Sequence, residues 1–255
     1  MDPCIIDVDN VKKTFKIGHK QEITVVDGLS FQVAKGEIVC IVGKTGCGKS
    51  TVFNMLLGLE PVTEGHIWIE GKDPYRDFNY FRTKIGAVFQ TDRLFPWRSA
   101  LQNATTGLEI VEKSKEVREG IALEWLHRLG LKGFEDAYPY QLSGGMRQRV
   151  GIARAFAVNP DILLADEAFG HLDQVTAVQL RKMFLDLVRE TGKTCLVVTH
   201  NIREAIEIGQ RMVVLGKPCC VLLKEKIPQF SSEQEKTEYE QTILTTISNN
   251  KVCSF

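Results

Sequence analysis

No stretch of this 255-residue chain holds about 18 or more uninterrupted apolar residues, so nothing in it reads as a membrane-spanning helix. Net charge is lacking too. The 32 Lys and Arg balance 32 Asp and Glu, with no long basic block, which argues against nucleic acid as the main partner. The seven cysteines show no C-x-x-C spacing, and Cys219 and Cys220 are simply adjacent. All seven are expected to be reduced cytosolic thiols, most of them small buried hydrophobes. Met1-Asp2-Pro3-Cys4 is acidic and short, unlike a secretory signal. No Asn-Lys-x-Asp stretch occurs, so the base-reading motif of a GTPase switch is missing. What is present is an ordinary globular composition, 44% hydrophobic and 25% charged, long enough for one large or two small domains.

The organising stretch is Gly43-Lys44-Thr45-Gly46-Cys47-Gly48-Lys49-Ser50-Thr51. It fits G-x-x-x-x-G-K-[ST], the phosphate-binding loop, and lies between an apolar run at 37–42 and a helically spaced run at 52–59. Strand, glycine loop and helix are the context this chemistry needs. Glycines let the backbone curl until successive N–H groups face phosphate oxygens, and the helix adds its positive end. Lys49 then supplies a point charge for the β- and γ-phosphates, and the Ser50 hydroxyl a ligand for Mg²⁺. Cys47 is the one thiol placed inside this loop.

Residues 5–15 alternate as a half-buried strand does and end at Phe15, an aromatic placed to stack on adenine. A strand at 29–33 turns through Ala34-Lys35-Gly36 into 37–42, which reads as an antiparallel hairpin. The apolar run 85–88 stops at Phe89-Gln90. Residues 100–138 are helical in spacing, without a strand candidate, and read as an insertion in an α/β core. Leu142-Ser143-Gly144-Gly145 opens another helix, with Ser143 as N-cap. Apolar runs at 162–165 and 194–199 end in Asp166-Glu167 and in His200. Strands alternating with helices imply a mainly parallel sheet, whose carboxyl ends gather ligand-binding groups. The polar tail 231–255, with its weak apolar patch at Ile243, Leu244 and Ile247, reads as a loose end or a single surface helix.

In that frame Asp166 holds Mg²⁺ through water and Glu167 orients and polarises the attacking water. Gln90 senses water and metal, and His200 reaches the γ-phosphate. Ser143-Gly144-Gly145 is a second anion-binding helix start in a chain with one triphosphate loop. Such spare capacity suggests a site shared between two copies, each giving this turn to the other's nucleotide.

Together these residues resemble the ATP-binding cassette ATPases, the motor subunits of ABC transporters. The resemblance runs over residues 5–223. It takes in Walker A at 43–51, Gln90, the signature at 142–148, Walker B at 162–167, the loop ending in Asp173, and His200. Phe89-Gln90, Leu94-Phe95-Pro96-Trp97, residues 138–154 and Thr199-His200-Asn201-Ile202-Arg203-Glu204-Ala205 look most similar to the nitrate, sulfonate and taurine importers. The family implies a RecA-like P-loop NTPase core with a mainly parallel sheet, an N-terminal antiparallel β-subdomain and an inserted helical subdomain. The ATPase domain is then 1–230, with helical insert about 91–158 and tail 231–255. It implies ATP and Mg²⁺ as ligands, Asp173 among the nucleotide contacts, and a homodimer or paired cassettes. It further implies membrane-embedded permease subunits docking near residues 90–97, a periplasmic or surface substrate-binding protein, and a peripheral place on the cytoplasmic face of the membrane. The chain departs from the family at Ala168 (commonly Pro), His171 (commonly small), Asn201 (commonly Asp), Phe15 (commonly Tyr) and residues 216–220. The reading is therefore an ATP hydrolase energising import of a small solute, an anion such as nitrate, sulfonate or taurine. Its rivals are a soluble non-transport cassette, a cassette of another transporter subfamily, and a non-catalytic scaffold. Soluble cassettes usually carry two copies per chain or a coiled-coil insert, and this chain has one Walker A and one signature. The intact Glu167 and His200 disfavour a scaffold.

Overall fold

A computed structural model describes residues 3–18, 21–111, 114–170 and 172–249. The chain divides into two compact units, Met1–Phe78 with Leu196–Phe255, and Asn79–Cys195. His171, one of the departures above, lies outside the described residues. Among the described residues no helix is long and apolar enough to cross a membrane.

The first unit opens with β1 (Cys4–Ile17) and β2 (Gln21–Ala34), paired antiparallel with Val8 opposite Phe31 and Phe15 opposite Ile23. Next come β3 (Ile38–Gly43), α1 (Lys49–Leu56) and β4 (Glu64–Ile69). β4 joins the other edge of β1, giving an antiparallel sheet in the order β2-β1-β4. β3 pairs elsewhere, so the expected hairpin across Ala34-Lys35-Gly36 is not formed. The reason lies in burial. All six residues of β3 are buried, a pattern that only a sheet covered on both faces satisfies. β2 instead buries Leu29, Phe31 and Val33 and leaves the intervening Ser30 and Gln32 more accessible, the two-residue period of a one-sided antiparallel strand.

The second unit begins at Asn79, within the short α2 (Phe78–Phe81), and contains β5 (Ile85–Val88), α3 (Ala100–Thr105), α4 (Lys115–Arg128), α5 (Gly144–Ala157), β6 (Ile162–Asp166) and α6 (Gln174–Thr191). β5 and β6 run parallel, with Ile85 opposite Ile162 and Val88 opposite Ala165. An aromatic cluster forms its core: Phe156 lies 4.9 Å from Trp125 and 6.0 Å from Phe184, and Phe169 lies 5.6 Å from Phe184, between ring centres. Tilted and edge-on pairs of this kind are favoured by the ring quadrupole.

β7 (Thr194–Thr199) returns the chain to the first unit beside β3. There follow α7 (Ile202–Ile208), β8 (Arg211–Leu215) and β9 (Val221–Lys226). β3 runs parallel to β8, with Gly43 opposite Leu215, and β9 closes antiparallel on β8. Arg211 grips Glu37 with two bonds, Nε to Oε1 at 2.6 Å and Nη2 to Oε2 at 2.9 Å, and fixes the start of β3 against that of β8. The tail is not loose through residue 249. It forms α8 (Glu233–Asn249), with Ile243 and Ile247 buried. Burying two such side chains contributes about 1.5–3 kcal/mol each, enough to dock one helix. Cys4, Cys40, Cys47, Cys195 and Cys219 are free thiols, but Cys220 is disulfide-bonded. The reading of seven reduced cysteines is corrected at that residue, since adjacency in sequence does not single out one thiol of the pair. Cys253 lies outside the described residues.

Candidate functional site

Backbone geometry shapes the glycine loop first. Gly46 has φ 74° and Gly48 has φ 113°, both in the left-handed region that L side chains avoid. A Cβ on Gly48 would sit 2.9 Å from the Cys219 Cβ and 3.0 Å from Val25, so glycine is required there by space as well as by torsion. A Cβ on Gly43 would meet the Cys47 Sγ at 2.8 Å. Gly48 is the residue before α1, whose first helical residue is Lys49, three residues earlier than the apolar spacing suggested. Lys49 is buried, and its Nζ donates to the carbonyls of Gly43 at 2.8 Å and Lys44 at 3.1 Å. Lys44, Thr45, Gly46 and Ser50 are exposed, and Cys47 is buried. Burial pushes the Cys47 thiol up, against the opposing pull of the Lys49 charge. The loop therefore offers a charged amine, a hydroxyl and a helix start, a donor set that fits a polyphosphate. The exposed Ser50 hydroxyl is a hard oxygen donor, of the kind that suits Mg²⁺.

The segment 216–220, which departs from the family pattern, packs directly against this loop. Cys219 bridges Val26, with its N–H donating to Val25 O at 2.9 Å and its carbonyl accepting from Asp27 N at 3.0 Å. Phe15, near the end of β1, is half-buried. The Lys13 ammonium lies 4.9 Å from its ring centre and is itself held by Glu60 at 2.9 Å and the Pro61 carbonyl at 2.7 Å. His200 is exposed and sits between β7 and α7. Its neighbours fix the turn: the Thr199 hydroxyl accepts from Asn201 N at 3.0 Å and donates to Glu204 at 3.2 Å, and Asn201 caps α7 through Glu204 N at 3.1 Å.

In the second unit Asp166 ends β6 and Glu167 follows it at φ 45°. A non-glycine residue in that region carries strain of about 1–3 kcal/mol, the kind that concentrates at functional sites. The structure brings Glu167 and Gln90 together: the Gln90 amide Nε2 donates to Glu167 Oε2 at 3.1 Å. Ser143 caps α5 by accepting from Met146 N at 3.3 Å. Gly145 is buried against the start of α6, where an added Cβ would strike the Thr176 methyl at 2.6 Å. Asp173 caps α6 through Thr176 N at 3.0 Å, and these Thr176 hydrogen bonds hold its carboxyl below the ordinary value. The signature turn and the Asp173 turn are thus packed together.

Phe95 and Trp97 lie 5.4 Å apart between ring centres, and Trp97 is 69% exposed. Their loop is not loose. Asn103, fully buried, accepts from Phe95 N at 2.8 Å and donates to the carbonyls of Phe95, Arg98 and Ser99 at 2.9–3.2 Å. Beside it lies a cavity of about 460 Å³ lined by Trp97, Arg98, Gln102, Glu109, Arg118 and Glu119 among others. Sequence reasoning missed Asn103. It also missed Arg147, Gln148 and Arg154 of α5, which bond the segment carrying Gln90. Their signal was polar residues at helical spacing on a helix that otherwise buries apolar ones.

Comparison with known proteins places the chain in a family. The family model described as "ABC transporter" matches residues 26–170, more than half of the chain. The taurine import ATP-binding protein TauB of Rhizobium johnstonii is 39% identical over 215 residues, covering 83% of this chain and 79% of that protein. The glycine betaine transport ATP-binding protein OpuAA of Bacillus subtilis is 46% identical over 197 residues, covering 74% of this chain and 47% of that protein. Among solved structures, the cassette MJ0796 in a dimeric post-hydrolysis state bound to ADP and Pi superimposes with a TM-score of 0.78. The identity is 38%, covering 88% of this chain and all of that one.

Proposed function

The chain belongs to the ABC transporter family as an ATP-binding subunit, and from that premise we propose that it powers import of a small solute bearing an anionic oxo group, such as the sulfonate of taurine, another sulfonate, or nitrate. Its reaction is ATP hydrolysis, with water as nucleophile and ADP as leaving group. Residues 43–51 hold the phosphates, with Lys49 on the β- and γ-oxygens. Ser50, Asp166 and Gln90 would be the residues that hold Mg²⁺, and Phe15 would stack on the base. When bound, Mg²⁺ supplies charge neutralisation of the phosphate oxygens. Glu167 orients the water and takes up its proton, and His200 contacts the γ-phosphate. A second cassette, a copy or a paralogue, receives Ser143-Gly144-Gly145 and Asp173 against its own nucleotide. The protein works peripherally on the cytoplasmic side, beneath permease subunits and with an external binding protein.

One observation carries the coupling to transport. The exposed Phe95 and Trp97 stand on the segment that also carries Gln90, and Gln90 touches Glu167 at 3.1 Å. A partner that moves this segment changes the surroundings of the hydrolytic carboxylate. The sulfonate-type cargo is supported by likeness to taurine import proteins over 74–83% of this chain. A second reading, a zwitterionic quaternary ammonium cargo, is favoured by the 46% identity to the glycine betaine protein. Deletion of the gene, followed by uptake of labelled taurine, nitrate and glycine betaine, separates the two. Loss of taurine or nitrate uptake alone supports the first reading, and loss of glycine betaine uptake alone replaces it.

A further inference from the structure

Arg154 lies near the end of α5 and directs both arms of its guanidinium at one short stretch of backbone. Nη2 donates to the carbonyl of Asp92 and Nη1 to that of Arg93, each at 2.8 Å. These two carbonyls flank the Arg93 Cα, so any rotation of its φ or ψ would move one acceptor relative to the other. Arg93 stands at φ 47°, in the left-handed region. A rigid planar fork presents its two N–H donors at a fixed spacing and so sets the two acceptors relative to each other, whereas the rotatable donors of an ammonium on a flexible stem impose no such geometry. The same helix holds the neighbouring residues. Arg147 Nε donates to the Asp92 carboxylate at 2.9 Å, and the buried Gln148 donates to the Phe89 carbonyl at 3.0 Å. Gln90 lies between these anchors and reaches Glu167 at 3.1 Å.

We propose that Arg154 is a positioning residue for ATP hydrolysis: by bridging the Asp92 and Arg93 carbonyls it holds Arg93 left-handed and so sets Gln90 against Glu167. The inference rests on the reading of Gln90 and Glu167 given above. It makes α5 the element that sets where Gln90 stands, through one torsionally strained residue.

The test uses the full-length protein and follows kcat, the ATP dissociation constant and thermal unfolding. Arg154→Met is expected to lower kcat about ten-fold or more while ATP affinity stays within about two-fold. Arg154→Lys should not restore kcat fully, because an ammonium on a flexible stem lacks the fixed spacing of the guanidinium's two N–H donors. The decisive variant is Arg93→Gly in the Arg154→Met background. Glycine enters the left-handed region without the usual penalty, so kcat should recover about five- to ten-fold. A purely structural role of Arg154 predicts no such recovery. Arg93→Val, which cannot adopt φ 47° readily, should by itself reproduce the loss, and should add little to Arg154→Met. Parental kcat in Arg154→Met, or an unrecovered loss when Arg93→Gly is added to it, overturns the inference. Should Arg154→Met fail to fold, parental kcat in Arg93→Val overturns it equally. Gln90→Ala serves as the control: parental kcat there would defeat the reading of Gln90 itself, whereas a loss at Gln90 with none at Arg154 defeats only the positioning role.

Discussion

Lys49 donates to the carbonyl of Gly43 at 2.8 Å, so the residue that ends the glycine loop's curl is bonded to the residue that begins it. A charge-assisted bond of this kind is among the stronger ones available to a loop. It holds the ammonium within the curl, close to the backbone proposed to receive phosphate. The loop's shape and its charge are therefore one feature, and substitutions at Lys49 and at Gly48 should be felt differently.

Lys49→Ala removes the charge and leaves the torsions intact. ATP affinity is expected to fall by about 100-fold or more, with thermal stability much less affected. Gly48→Ala does the reverse, forcing a Cβ to within 2.9 Å of Cys219 at φ 113°. It should destabilise the fold by about 1–3 kcal/mol. Titration calorimetry and urea unfolding separate the two, and an unchanged dissociation constant in Lys49→Ala would defeat the phosphate-loop role.

Glu167→Gln keeps the shape of the side chain that meets Gln90 and removes its ability to take a proton. Turnover should drop about 100-fold or more while ATP binding persists, and a dimer stabilised by ATP should accumulate. Hydrolysis at the parental rate would rule out the role given to this carboxylate.

Trp97→Ala and Phe95→Ala act on a surface, since Trp97 is 69% exposed. Aromatic anchors of an interface commonly contribute about 2 kcal/mol or more to docking. Basal ATP hydrolysis should be preserved and solute uptake lost. Normal uptake in cells carrying either variant would refute permease docking at this loop.

Glu37 and Arg211 give a pH-dependent contribution whose sign can be worked out. Burial alone would raise the Glu37 carboxyl, but the bonds from Arg211 outweigh it and hold the group below its ordinary 4.5. The folded value is lower than the unfolded one. The stabilisation is therefore complete above about pH 4.5 and is lost as pH falls through the folded value. Arg211→Met should be less stable by about 1–3 kcal/mol at about pH 7, and the difference should narrow at about pH 3.5. Urea unfolding at both values is the check; a gap that widens in acid would reverse the assignment.

The sequence by itself determined what depends on neighbours along the chain. The glycines of 43–51 are dictated by torsions such as φ 113° at Gly48, and the lysine and serine by the chemistry of phosphate. The strand ends at Asp166 and Thr199 follow from runs of apolar residues, and the caps at Ser143 and Asp173 from short polar side chains before helices. These are local demands of steric fit and backbone hydrogen bonding, written in adjacent residues. Only the tertiary structure decided which distant groups meet. It separated β2 from β3, because β3 needs both faces covered. It brought Glu37 to Arg211, 174 positions apart, and Gln90 to Glu167, 77 positions apart. It fixed Arg93 left-handed under Arg154, a conformation that no propensity of arginine favours. Long-range partners are chosen by the packing of whole elements, and a single pair of residues carries no record of that choice until the elements are in place.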